Sequence, residues 1–278
     1  NATRGCPRDC EYCSSTRVYG SKLRKKSIGQ VVKEVRAIKR WAKYYDIKDF
    51  TIAFRDDNPI LNAKYGMELV DALTEEKVYW QALTDIAIYK RPDLIKKLHP
   101  SGCLVIGMGL ESLNEASLHS IAPWKSTQLS HYEEFVQMGL DEGFLMSFNF
   151  IFGMDDDTEE TVKMVDDFCS RYPIMPTFLL LTPFPNQPIT HRLKQEGRLP
   201  DKIYWDRCNL YNLVFEPKKI SKEELYFHVT NLQRKFNSAE HWKAVSDEIQ
   251  AIRVRKGAAA LPSPIKLYKP RMDQSFTA

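Results

Sequence analysis

The sequence predicts an α/β fold, a partial (β/α)6 TIM-type barrel followed by a helical C-terminal extension. Three observations predict it. Short β-rich runs alternate with amphipathic helical segments for most of the chain. Strands separated by helices of this length pair in parallel through right-handed crossovers. Six such strands fit within about 185 residues, whereas a full eight-fold barrel takes roughly 250.

The elements follow in order. A strand ahead of Cys6 opens the barrel, truncated because only five residues precede that cysteine. Ser27 and Gln30 form a capping box, and Ile28, Val31, Val32, Val35, Ile38 and Ala42 follow at helical spacing, which predicts a helix over 28–44. Residues 49–54 (DFTIAF) read as a strand ending in the polar turn Arg55-Asp56-Asp57-Asn58-Pro59. A helix fits 62–76, a strand 78–83 and a short helix 92–98. The apolar run 103–110 suits a buried strand, and Ser112 with Glu115 predicts a capping box for the next helix. A helix over 129–141 precedes the strand 144–152; Asp157 is expected to cap a helix over 158–171, ahead of a sixth strand at 177–182. Near residue 188 helices and loops replace the alternation, with a helix from the Ser221–Glu224 capping box to about 236 and another from about 239 to 254. The expected domains are therefore 1–187, the barrel; 188–255, the helical extension; and 256–278, a flexible tail without periodicity.

Composition narrows the class. With 278 residues, 43% hydrophobic and 27% charged, the chain matches one large or two small globular domains and no collagen-like, disordered or disulfide-scaffold class. No apolar run approaches the roughly 20 residues of a membrane span, and no signal peptide opens the chain. A net charge of +4 does not predict a nucleic-acid partner. The basic run Lys22-Leu23-Arg24-Lys25-Lys26 reads as a solvated loop rather than a phosphate site.

Half of the six cysteines lie within the first 13 residues, as C-x3-C-x2-C at Cys6, Cys10 and Cys13. Three thiolates on one loop can wrap a soft metal centre. A structural zinc site wants four ligands, and no second cysteine pair or histidine pair stands nearby. A disulfide within an odd, crowded set meets poor geometry. Three ligands on a four-iron cluster leave one iron open to chelate a substrate or cofactor. Such thiol chemistry points to a reducing, cytoplasmic setting, in which the sequon Asn1-Ala2-Thr3 carries no meaning.

This spacing, with the aromatic Tyr12 before the last cysteine, resembles the signature of the radical S-adenosylmethionine superfamily. The segments RGCPRDCEYC, FRDDN, GLESLNEASL, FNFIFGMDDDT and LTPFPNQPITHRLKQEGRL resemble, in order, landmarks of its cobalamin-binding branch, which includes enzymes of hopanoid and bacteriochlorophyll biosynthesis. The resemblance covers residues 1 to about 250. It implies a partial (β/α)6 barrel, a [4Fe–4S] cluster on Cys6, Cys10 and Cys13, and S-adenosylmethionine on the open iron. It implies reductive cleavage to a 5′-deoxyadenosyl radical, then hydrogen-atom abstraction leading to methylation, cyclisation or rearrangement. In that branch a cobalamin-binding domain precedes the barrel; this chain starts at Asn1, which reads as a fragment and leaves cobalamin an open third cofactor.

The resemblance also implies site residues. Either Asp56 or Asp57 would accept the S-adenosylmethionine amino group, though an Asp pair before Pro59 equally suits a turn. Glu111 and Ser112 would contact the same cofactor; Ser112 equally suits an N-cap, while a buried Glu111 needs a ligand or solvent. Tyr12 and Gly153 complete the cofactor-binding set, with Phe150 to Phe152 as an apolar wall near the adenine. Asp156 stands where the family usually has Gly, and Pro183-Phe184-Pro185-Asn186-Gln187-Pro188 departs from the usual Pro-x-Pro-Gly-Thr, with Asn186 able to take the left-handed turn. Cys103, Cys169 and Cys208 read as inert, and Tyr204, Trp205, Tyr211 and Phe215 as packing between barrel and extension or a cavity lining. The expected partners are a small molecule of lipid or tetrapyrrole type and an electron donor such as flavodoxin or ferredoxin. The competing readings are a methylthiotransferase-like enzyme and a non-enzymatic iron–sulfur or zinc protein.

Overall fold

The computed structural model describes residues 1–257 except Asp201 and Tyr204, so Tyr204 and the expected tail from residue 258 onward lie outside the described residues. Five strands, β3 (Thr51–Ala53), β4 (Tyr79–Thr84), β5 (Cys103–Glu111), β6 (Leu145–Phe152) and β7 (Met175–Leu180), form one parallel sheet in sequence order, following a small pair, β1 (Thr3–Arg4) and β2 (Arg24–Lys25). Helices α1 (Ser15–Tyr19), α2 (Ile28–Tyr44), α3 (Ala63–Glu76), α4 (Pro92–Leu98), α5 (Glu115–Ile121), α6 (Pro123–Ser126), α7 (Tyr132–Glu142) and α8 (Glu159–Arg171) fill the connections. Past the sheet come α9 (Pro188–Gln195), α10 (Lys222–Phe236) and α11 (Ala239–Arg255). The result is a curled, five-stranded parallel half-barrel.

One expected strand is placed differently. The first segment does not join the parallel sheet: β1 pairs antiparallel with β2. Instead of a ladder to β3, the Ala2 N–H donates to the Asp56 carboxylate at 2.8 Å and the Thr3 N–H to the same oxygen. A side chain just past β3 thus replaces the backbone partner, and two residues are too few to extend the ladder further.

Local signals explain the other elements. The Ser27–Gln30 capping box starts α2, and Val31, Val35 and Ala42 form its buried stripe. The Asn62 carboxamide accepts from the Tyr65 N–H at 3.0 Å to start α3, which Lys77 ends in a left-handed conformation. Strand β5 is buried almost throughout, as its unbroken apolar run requires for a strand covered on both faces. Two expected caps differ. Asn114, not Ser112, caps α5 by accepting from the Ser117 N–H at 3.1 Å, and Thr158, not Asp157, caps α8.

Phe148, Phe150, Phe152, Phe168 and Phe178 are fully or nearly fully buried between the sheet and its helices. Each contributes about 1.5–3 kcal/mol by burial. Helix α10 packs on β7 and α8, burying Leu225, Val229, Leu232 and Phe236. Val245 and Ile249 of α11 form a second small core with Leu104, Val105, Leu145 and Met175, at the starting ends of β5, β6 and β7. The opposite edge, where the strands finish, carries the site. Among the described residues no helix is long and apolar enough to cross a membrane.

Candidate active site

The cysteine loop runs from β1 to α1. Gly5 admits it through φ +93°, and a Cβ there would stand 2.5 Å from the Lys22 carbonyl oxygen, so only glycine fits. The Cys6 N–H donates to the Gly20 carbonyl at 3.2 Å and the Thr16 hydroxyl to the Arg8 carbonyl at 3.0 Å. Distant segments then fasten the loop. The Glu11 N–H donates to the Ile121 carbonyl at 2.8 Å, and the Gln187 carboxamide donates to the Tyr12 carbonyl at 2.6 Å. Arg192 makes a forked pair with the Glu11 carboxylate at 2.9 and 3.2 Å and also reaches Asp155 at 2.5 Å. A bidentate guanidinium of this kind fixes orientation as well as charge.

All three thiols of the loop are free, with Cys10 buried and Cys6 and Cys13 partly exposed. Burial pushes the Cys6 and Cys10 thiols up; the charges of Asp57, Cys13 and Cys10 raise Cys6 further, and those of Cys13 and Glu111 raise Cys10. The Lys125 charge and a hydrogen bond from Trp124 oppose that rise at Cys10. A soft cationic centre would relieve this mutual repulsion, so the donor set fits an iron–sulfur cluster. Among the described residues no three His, Cys, Asp or Glu side chains converge on a single-ion site. A cluster whose irons each take one thiolate does not require such convergence.

Tyr12 reaches from the loop to the end of β5, where its hydroxyl donates to Glu111 at 2.5 Å. Burial and the facing Glu111 charge hold the Tyr12 phenol well above its ordinary range, so it stays a donor. Glu111 itself has φ 69°, an uncommon conformation for a non-glycine residue. That turn folds its carboxylate back over Gly109, where an added Cβ would lie 1.9 Å from Oε1. Lys125 of α6 then donates to Oε1 at 2.9 Å and to the Gly109 carbonyl at 2.8 Å. The expectation that a buried Glu111 needs a ligand or solvent is corrected by this pairing: an internal ammonium satisfies it. Lys125 and Glu111 are only 5% and 7% exposed.

The remaining expected residues divide between scaffold and rim. One Asp56 oxygen accepts from Ala2, from the Thr3 N–H and, at 2.8 Å, from the Thr3 hydroxyl, while Oδ2 is buried without a hydrogen-bond partner. Asp57 is partly exposed, accepts from the Ser15 hydroxyl and lies near enough to Cys6 to raise its thiol. Ser112 accepts from the Asn114 N–H at 3.1 Å. Gly153, at φ +104°, follows β6 and donates its N–H to Asp157 at 2.8 Å.

Asp157 also accepts from the Met154 N–H and the Ser117 hydroxyl, tying the end of β6 to α5. Burial outweighs those bonds and raises its carboxyl to about 6. Asp155 behaves oppositely. Burial would raise it, but hydrogen bonds from Arg198, Lys218 and Arg192 bring it down to about 2.

Phe150 to Phe152 belong to the core, and burial pushes the Cys103 and Cys169 thiols far up. Asn186 takes the left-handed conformation expected of it, at φ 62°. Asp156, where the family usually has Gly, pairs with Lys219 at 2.5 Å. Of the aromatic stretch, Trp205 is exposed and Phe215 buried, so these two do not share one surface.

Sequence reasoning missed Trp124, Lys125 and Arg192, and treated Gln187 only as part of a turn. Lys125 left one readable sign. A lone lysine after Ile121-Ala122-Pro123-Trp124, close in sequence to an acid that ends an apolar strand, is a candidate buried counter-charge. Gln187 and Arg192 lie in the landmark segment LTPFPNQPITHRLKQEGRL, which marks the region but not their partners.

The family model "Radical SAM superfamily" matches residues 1–169. This chain belongs to the radical SAM superfamily. Enzymes of this superfamily work with a [4Fe–4S] cluster and S-adenosylmethionine, the cofactor pair that the resemblance implied. The chain is 35% identical over 235 residues to the bacteriochlorophyllide d C-12(1)-methyltransferase of Chlorobaculum tepidum, covering 84% of this chain and 50% of that protein. With the hopanoid C-2 methylase of Rhodopseudomonas palustris it shares 28% identity, over 70% of this chain and 37% of that one. The fold also matches the cobalamin-dependent radical enzyme OxsB, solved with aqua-cobalamin and S-adenosylmethionine, with TM-score 0.65, 13% identity, and 91% and 45% of the two chains covered. The chain spans about half the length of the curated relatives it matches. These relatives agree with the main reading rather than with the methylthiotransferase or non-enzymatic alternatives.

Proposed function

We propose that this chain is the catalytic part of a radical S-adenosylmethionine methyltransferase or cyclase acting on a small, largely apolar molecule of tetrapyrrole or lipid type. The observation that carries this is the loop of Cys6, Cys10 and Cys13, fastened at the finishing ends of the strands by Tyr12, Glu11 and Gln187. Cys6, Cys10 and Cys13 would hold the cluster. Asp57, partly exposed beside Cys6, is better placed than Asp56 to accept the amino group of S-adenosylmethionine, since Asp56 spends one oxygen on β1. Glu111, Ser112 and Gly153 would line the same cofactor, and Tyr12 would orient the loop. Bound together, the cluster and S-adenosylmethionine supply a 5′-deoxyadenosyl radical; the chain's task is to orient them and exclude water and oxygen.

Cobalamin is included as a third cofactor because relatives of this type are methyltransferases and OxsB has it bound. A flavodoxin or ferredoxin in the cytoplasm would supply the electron. The division at 187/188 into barrel and extension belongs to the same proposal.

The test is anaerobic cluster reconstitution, then incubation with S-adenosylmethionine and dithionite, with and without cobalamin and with tetrapyrrole and hopanoid lipid substrates. The proposal expects 5′-deoxyadenosine. A well-reconstituted protein that makes none under any of these conditions contradicts it. The triple Cys6→Ala, Cys10→Ala, Cys13→Ala variant should lose the cluster altogether; a full four-iron complement in that variant would overturn the ligand assignment.

A further inference from the structure

Trp124 stands against the cysteine loop, beside Cys10. Its indole N–H points at the Cys10 sulfur, with 3.4 Å between Nε1 and Sγ. The Arg8 guanidinium lies over the indole face, 4.0 Å from the ring centroid, and Asp85 anchors Arg8 through a 3.0 Å pair. Lys125 places a second cation 5.5 Å from the same ring. Pro123 begins α6, the short helix that carries both Trp124 and the Lys125 of the Lys125–Glu111 pair.

We propose that Trp124 is a positioning residue that sets the reduction potential of the cluster by hydrogen bonding to the Cys10 sulfur, with Arg8, anchored by Asp85, strengthening that donor. The inference rests on the proposed function, because it presumes the cluster. Its physical basis is general. An N–H donor withdraws charge from a ligating sulfur, and hydrogen bonds to sulfur are among the levers that set iron–sulfur potentials. The reduced cluster carries one more negative charge, so the bond is stronger in that state and favours reduction. A cation over the indole face draws electron density from the ring and makes the N–H a better donor. A packing role alone would use the ring and leave the direction of its N–H irrelevant.

The test is an EPR-monitored redox titration of the reconstituted chain, with iron and sulfide contents measured on every sample. W124F keeps an aromatic ring beneath Arg8 and loses the N–H. Its reduction equilibrium should shift about tenfold toward the oxidised cluster, ~59 mV for one electron, with iron content unchanged. R8M keeps the N–H and loses the stacked cation, so its shift should be in the same direction but smaller, about threefold. If W124F holds full iron at the wild-type potential, this inference fails while the proposed function stands. If W124F loses its cluster, R8M decides, and a wild-type potential in R8M overturns the inference. A wild-type chain that assembles no cluster overturns both.

Discussion

The two ends of the half-barrel handle charge in opposite ways. At the finishing ends of the strands, Lys125 and Glu111 are 5% and 7% exposed, and every partner comes from another element. At the starting ends, Glu76 of α3 is also buried, at 8%, but Arg36 and Lys39 approach it from solvent at 62% and 41% exposure. Nearby, Lys39, Lys43, Lys48 and Lys77 border a cleft of about 430 Å³, and Trp41, Tyr44 and Tyr45 are exposed. One end invests its charges in fixing a loop; the other leaves them in water. The difference shows which end must hold geometry and which need only stay folded.

That contrast can be broken by substitution. Removing the ammonium in K125M strands a buried carboxylate, which costs about 3–5 kcal/mol. Anaerobic urea unfolding should show that loss directly. The double variant K125M/E111Q should recover part of it, because neither charge is then left alone. A K125M chain as stable as wild type would mean the pair is solvated after all. The matching change at the other end, K39M, should cost no more than about 1 kcal/mol, since Glu76 keeps Arg36 and the lost cation was partly hydrated.

Acid titration sharpens the comparison within the site end itself. The Asp155 carboxyl is held at about 2, below its ordinary 3.8. Its contribution is therefore complete above about pH 4 and lost as pH falls toward 2. Asp157 is raised to about 6, so its native state binds the extra proton and its contribution fades as pH rises from about 4 to 6. D155N should flatten the stability profile below pH 4, and D157N should flatten it between 4 and 6. Slopes that do not separate in this way would contradict the assignment of Asp155 to the Arg192–Arg198 network and of Asp157 to a buried turn.

Much of the fold was legible because its causes are local. The Ser27–Gln30 box and the stripe after it define α2 without any tertiary information, and the unbroken apolar run of β5 announces a strand covered on both faces. The three cysteines announced the site for the same reason: their chemistry depends on spacing along one loop. What was not legible depends on partners far away in sequence. β1 pairs with β2 because Asp56 replaces a ladder, and nothing near residue 3 says so. Ser112 and Asp157 looked like caps by spacing, yet Asn114 and Thr158 cap the helices and free Asp157 to bind the turn after β6. Arg192 fastens Glu11 across 181 positions, and no local pattern marks such a contact.

The loop fastened by Tyr12 and Glu11 is proposed to hold an iron–sulfur cluster with one iron open to S-adenosylmethionine. EPR of the anaerobically reconstituted, dithionite-reduced chain, recorded before and after S-adenosylmethionine is added, tests it most directly. The account predicts a [4Fe–4S]⁺ signal that changes when the cofactor is added. A reconstituted chain with no such signal, or with one that S-adenosylmethionine leaves untouched, would contradict it.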